Sequence, residues 1–190
     1  FAFNKLCNMF TQYSFPYDYS GANRFRTGEM PILISGYTGL YNQLKVFATE
    51  LDGCWTFVPV PGTLKADGTI DNHILSGSSA LVMVSGAKHI EDAWEYMKWY
   101  TGAEAQTTYA NEMVAIMGES AKHATANITA LSEMPWTSAE LEQLKYQFQN
   151  LASIPNYPGS YIIGRYTNFA FLAAYEDNAN PTEELQRYIT

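Results

Sequence analysis

One segment constrains the fold of this chain more than any other. It runs from Ser76 through Gly86 and on to Met113. Ala80-Leu-Val-Met-Val84 is an apolar run long enough for one buried strand. Gly77, Ser78 and Ser79 precede it, and Ser85 and Gly86 follow. A helical pattern starts at once: Ile90, Ala93, Trp94, Met97 and Tyr100 recur at spacings of three and four and share one face. Gly102 ends that helix, and Ala103 to Met117 begins another. Loop, strand, turn, amphipathic helix and second helix in that order predict a sheet covered by helices.

The remaining chain reads the same way. Phe3, Leu6, Cys7, Phe10 and Tyr13 give an opening helix one apolar face. Ser14 to Tyr19 is a loop. Ser20 is placed to cap a short helix reaching Arg26, with Gly28 at its left-handed end. Met30 to Ser35 predicts a strand, and Gly36-Tyr-Thr-Gly39 turns it into a helix through about Phe47. Trp55 to Val60 predicts another strand, ended by Pro61-Gly62. Asp67-Gly68 and Asp71-Asn72 mark a hairpin or loop. One short helix and a loop are expected over 117–130. Thr137 and Glu140 form a capping box, with Trp136 and Leu141 at staple positions, and Leu141, Leu144, Phe148 and Leu151 supply the buried face that follows. Tyr161 to Tyr175 is apolar nearly all round and predicts a buried helix. Asn180-Pro-Thr-Glu183 caps a last one.

Composition narrows the function classes. Hydrophobic residues make up 47% of the 190, enough for a real core and against disorder. Eleven basic against 19 acidic residues give a net charge of −8, which disfavours nucleic acid or anionic lipid as a partner. No apolar run approaches the ~18 residues of a membrane helix. Cys7 and Cys54 share no spacing pattern and are expected as two buried free thiols. His73, His89 and His123 lack the spacing of a metal site. No phosphate-binding glycine loop or nucleophile elbow occurs, so neither a metal nor another cofactor is expected. Asn127-Ile-Thr129 matches a glycosylation acceptor by composition only.

The stretch Ser79-Ala-Leu-Val-Met-Val-Ser-Gly-Ala-Lys-His-Ile-Glu-Asp-Ala-Trp-Glu-Tyr-Met-Lys-Trp99, followed by Ala103-Glu-Ala-Gln106, resembles the extracellular solute-binding proteins of ABC importers. Within that family it is similar to the sugar-binding group that includes maltose-binding protein, with its hydrophobic strand, Ser-Lys type turn, Ala-Trp-x-Phe-x-Lys-Trp and Gln-rich helix start. The resemblance extends from about Phe1 to Thr190. It implies an α/β, periplasmic-binding-protein-like (type II) fold, a mixed sheet covered by helices. The chain begins within a helical pattern, and is expected to be the second half of a longer, two-lobed protein. Residues 1–77 and 136–190 would then belong to the second lobe, and 78–135 would associate with the missing first lobe. The implied function is capture of a carbohydrate in an interlobe cleft and delivery to a membrane permease, without catalysis. The implied location is extracellular, cell-surface or periplasmic, with a lipid anchor on the full-length protein.

Three sets of residues are candidates for the ligand. Tyr161, Arg165 and Asn168 form one polar stripe on an otherwise apolar helix, and the resemblance places the corresponding helix along the cleft. Burying an arginine is costly without a partner, so Arg165 is expected buried or half-buried, facing either a structural acceptor or ligand hydroxyls. Gly164 stands where a stacking aromatic would be convenient, which moves that role to Tyr161 or Tyr166. Gly36, Tyr37, Thr38 and Tyr41 make a glycine turn beside aromatic rings, able to offer backbone and an apolar face to a pyranose. The alternative is an ordinary strand-to-helix turn with Tyr41 in the core. Maltose-binding protein has tryptophans in this region; their absence here implies a different sugar or a weaker stack. Gly77, Ser78 and Ser79 either make a tight strand entry or contribute backbone contacts.

Trp94 on its apolar face is expected in the core, and Trp55 and Trp136 as core or staple. Val82, Met83, Trp94 and Met97 are expected to be buried even without a first lobe. Two rival functions stay open. A carbohydrate-active enzyme or accessory module would need two carboxylates facing a cleft, whereas the acids here lie at predicted helix starts. An amino-acid or peptide binder would need a carboxylate clamp, for which Arg165 is the one evident residue.

Overall fold

The structure is a computed structural model that describes residues 1–188. Contacts divide the chain into two units, residues 1–20 with 154–188 and residues 21–153. They do not group 78–135 as a separate body.

The first unit is built from three helices. Ala2–Thr11 (α1) carries the predicted face, and Cys7 is fully buried on it between Phe3 and Phe10. Leu6 and Tyr13, expected on the same face, stay exposed. A later helix, Ser160–Glu176 (numbered α8 in chain order), packs its C-terminal half on α1 through Phe171 and Ala174. The Phe10 and Phe171 rings meet edge to face at 5.2 Å. Pro181–Arg187 (α9) closes the unit, capped as predicted: the Asn180 side chain accepts from the Thr182 and Glu183 amides, with proline at the first turn. The helix expected to be buried along its length is buried only where α1 and α9 cover it. Its N-terminal half, from Tyr161 to Phe169, faces solvent.

The second unit holds the remaining elements. Gly21–Arg26 (α2) ends at Gly28, whose φ of +79° is the left-handed conformation expected there. Tyr37–Phe47 (α3) follows its glycine turn. Thr63–Leu64 (β1) and Ile70–Asp71 (β2) form a short antiparallel hairpin, with Asp67 Oδ1 accepting from the Thr69 amide across its turn. Gly62 is required beside it, because a Cβ there would lie 2.4 Å from Ile70 Cγ2 and 2.7 Å from the Asp71 carbonyl. Ile74–Leu75 (β3) pairs in parallel with Leu151–Ala152 (β4). Ile90–Thr101 (α4) and Ala103–Met117 (α5) break at Gly102 as predicted. Ile128–Glu133 (α6) and Ser138–Gln149 (α7) complete the unit. Its core joins Tyr41, Ala110, Leu131, Met134, Trp136 and Leu144, with Trp55, Phe57, Leu141 and Phe148 packed against them.

The fold is mostly helical with small scattered strands. None of the segments 30–35, 55–60 and 80–84 joins a sheet, contrary to expectation. A strand needs a neighbour's backbone to satisfy its own, and no described segment lies alongside these three as a ladder partner. In 30–35 and 80–84 most apolar side chains also stay out: Val82 is 80% exposed, and Ile32, Ile34 and Val84 are exposed with it, whereas Trp55 and Phe57 of 55–60 pack on the core without a ladder. The α4 face meets the same fate. Trp94, expected in the core, is 52% exposed, and Met83 and Met97 are half-buried. An amphipathic stripe is buried only where something packs on it, and α4 packs on α5 without covering Ile90, Trp94 or Tyr100. Local contacts hold its surface instead: Lys98 lies over the Trp94 ring and bonds Glu95 at 2.6 Å. Cys54, expected buried, is exposed in the turn after a 3-10 helix, Thr49–Leu51.

The start of α7 shows how sequence fixes a helix here. Thr137 Oγ1 accepts from the Glu140 amide, and Glu140 accepts from the Thr137 amide at 2.9 Å. Trp136, just outside the cap, is buried in the core. Thr137→Ala should cost ~0.5–2 kcal/mol and Trp136→Ala ~3–5 kcal/mol in urea unfolding. Equal stability of Thr137→Ala and the parent would show that the cap contributes nothing.

Candidate functional site

The glycine turn and α3 lead into the second unit's core. Gly36 is exposed with φ −65°, and a Cβ would meet nothing within 4 Å of it, so the turn is open on its outer side. Thr38 is half-buried. Tyr37 is half-buried against Trp136 and Phe148. Tyr41 is only 3% exposed, with its ring edge to face against Trp55 and Trp136 at 5.5 and 5.1 Å. It has no free face for a ligand, which is the alternative that sequence reasoning had left open.

Tyr41 shares its hydroxyl with a group that sequence reasoning missed. Lys122 is fully buried. Its Nζ donates to Tyr41 Oη at 2.9 Å and stands 4.4 Å from the Trp136 ring centroid and 4.8 Å from that of Tyr41. Glu119 is the nearest carboxylate, at 3.9 Å from the ammonium. Asn42 Nδ2 donates to the Lys122 carbonyl at 2.7 Å, holding the backbone in place. Burial pushes the Lys122 ammonium below its ordinary range, and the Glu119 charge opposes the shift. Burial, with Glu140 and Glu119 nearby, pushes the Tyr41 phenol well up. The sequence around Lys122 carries no periodicity or motif that would mark it as internal.

This region also holds buried polar atoms without partners among the described residues: Tyr37 Oη, Asn42 Oδ1 and Trp136 Nε1, with Thr107 Oγ1 and His123 Nδ1. Burial lowers the His123 imidazole and raises the Tyr37 phenol. No group of three His, Cys, Asp or Glu side chains among the described residues could hold a metal ion.

Gly77, Ser78 and Ser79 are all exposed in the loop before Ala80. In the first unit, Tyr161 is 75% exposed and Asn168 is exposed on the same stripe. Arg165 lies between them and is exposed, not buried as expected. Its guanidinium carbon stands 5.2 Å from the Phe169 ring centroid, so the cation is held over an aromatic face in contact with water and carries no burial cost. A ring, a guanidinium and an amide thus stand on one open helical face.

Residues 12–107, half of the chain, match the model of the family described as bacterial extracellular solute-binding protein. The chain belongs to that family. No curated protein and no solved structure matches the chain. The family supplies the solute-binding, non-enzymatic component of bacterial ABC import, so the implied partners are a solute and an ABC permease. No described helix is long and apolar enough to cross a membrane.

The Tyr37 hydroxyl gives a pH prediction. Its phenol is raised in the folded state, so its contribution to stability is complete below the ordinary value of 10.0 and is lost as pH rises through the folded value. Tyr37→Phe should change the neutral-pH stability little and should lose less stability than the parent as pH rises above 10.0. Denaturant unfolding across the alkaline range checks it. Identical alkaline slopes would contradict it.

Proposed function

We propose that the solute is a carbohydrate, captured in a cleft between two lobes of the full-length protein and passed to the permease. The open stripe of Tyr161, Arg165 and Asn168 on α8 carries this reading. An exposed ring suits the C–H face of a pyranose, and the guanidinium and amide supply donors, and in the amide an acceptor, for its hydroxyls. Gly36, Tyr37, Thr38, Gly77, Ser78 and Ser79 are proposed as ligand contacts of the second unit, with Tyr41 committed to the core and not touching sugar. The periplasmic-binding-protein-like fold, the lobe assignment of 1–77, 78–135 and 136–190 and the lipid anchor belong to the same proposal. The uncovered apolar side chains of 80–84 and α4 support it, since a first lobe outside these residues would give them a partner.

Titration calorimetry with mono- and oligosaccharides tests the stripe. Tyr161→Ala should weaken the bound sugar about tenfold by loss of ring contact, with an unchanged melting temperature because the ring is exposed. Unchanged affinity would remove Tyr161 from the site. The two-lobe reading makes a separate prediction. One wall leaves the other face of the sugar in solvent, so these 190 residues alone should bind about a thousandfold more weakly than the full-length protein, ~4 kcal/mol. Equal affinities would show that the site is complete within this chain.

A further inference from the structure

The first unit contains a groove of about 420 Å³ between α1 and the α8–α9 connection. Its lining is unusual for a chain of net charge −8, because it holds no charged side chain. Asn4, Asn8 and Gln12 line one side at helical spacing, and Asn178 and Asn180 line the other. Thr11 and Thr182 add hydroxyls, and alanines and a proline complete the wall. Some of this polarity is already used. Asn4 Nδ2 donates to Thr182 Oγ1 at 2.7 Å, and Asn180 caps α9. The side-chain amides of Asn8, Gln12 and Asn178 make no hydrogen bond among the described residues. Asn178 sits at φ +55°, a left-handed conformation that asparagine tolerates better than most residues.

We infer that this groove is a binding site for a neutral polyhydroxylated molecule. An amide presents a donor beside an acceptor, which matches two neighbouring hydroxyls that each give and take one hydrogen bond. An anion would find no cationic side chain in the lining, a metal ion would find no carboxylate, and an apolar solute would leave the amides unpaired. The volume accepts a molecule of one or two sugar rings. Hydroxyls already bond water, so each exchange gains little and the affinity falls in the millimolar range. Tyr161, Arg165 and Asn168 are not in this lining, so the inference is independent of the preceding reading.

The test is a proton–nitrogen correlation titration of this chain with D-glucose, and with sodium gluconate as a charged probe of similar size. Saturable shifts of the Asn8, Gln12 and Asn178 side-chain amides with glucose, absent with gluconate, are expected. The Asn8→Leu/Gln12→Leu double variant should weaken the glucose response about tenfold. If that variant does not fold, Asn178→Gly keeps the left-handed backbone, removes one amide and should also weaken it. Groove amides that do not shift, or that shift equally with gluconate, overturn the inference. Glucose shifts confined to Tyr161 and Arg165 overturn it as well while leaving the α8 reading standing.

Discussion

The ammonium of Lys122 sets the terms for the larger unit. A cation removed from water costs several kcal/mol unless its surroundings replace the lost hydration. Here two aromatic faces and one phenol oxygen do so, with Glu119 at the edge. A desolvated cation over a ring gains ~2 kcal/mol or more, so the arrangement offsets much of the cost only while both rings stay in place. Tyr41 comes from α3, Lys122 follows the 3-10 turn Glu119–Ala121, and Trp136 precedes the cap of α7. Three distant stretches of sequence are therefore held to one another by a single charge. Removing Tyr41 takes away the hydrogen-bond acceptor of the ammonium, and removing Trp136 takes away one of its two aromatic faces.

That constraint decides which candidate residues are free to meet a solute. Tyr41 is committed to the core, and Tyr37 is half-covered by Trp136 and Phe148. The glycine turn before them is open but presents chiefly backbone. The side chains with exposed faces and suitable chemistry lie on the N-terminal half of α8, where Tyr188 at the end of α9 packs on Tyr166 and Phe169 and leaves Tyr161, Arg165 and Asn168 exposed. A helix that is apolar on all sides yet half uncovered carries more surface than its own unit needs. In a solute-binding protein, that surplus is what a ligand or a second lobe would use.

Much of this was legible in the residues. Boundaries written into local chemistry appear where read: the Thr137–Glu140 box, the Asn180 cap with Pro181, the left-handed Gly28 and the Gly102 break. Each depends on neighbours a few positions away. Burial was harder to read, because it depends on what packs on a face. Trp94 and Val82 sit in apolar patterns and are exposed for want of a partner, and the strand at 80–84 fails for the same reason. Arg165 was expected inside because its helix is apolar, and it lies outside because that half of the helix is open. Lys122 erred the other way, a charged residue in a polar stretch that only tertiary contacts draw inward. The amides of the first-unit groove could have been noticed as a stripe at positions 4, 8 and 12, flanking the face of Phe3, Cys7 and Phe10.

The second unit closes on its own buried charge, and the proposed solute contacts lie on the exposed half of α8. Hydrogen exchange on the full-length protein, with and without a saturating sugar found by screening, tests this most directly. Slowed exchange is expected across 160–169 with sugar present, and little change across 41–47, where α3 is already fixed by Tyr41 and Asn42. Protection of 41–47 with no change at 160–169 would contradict it.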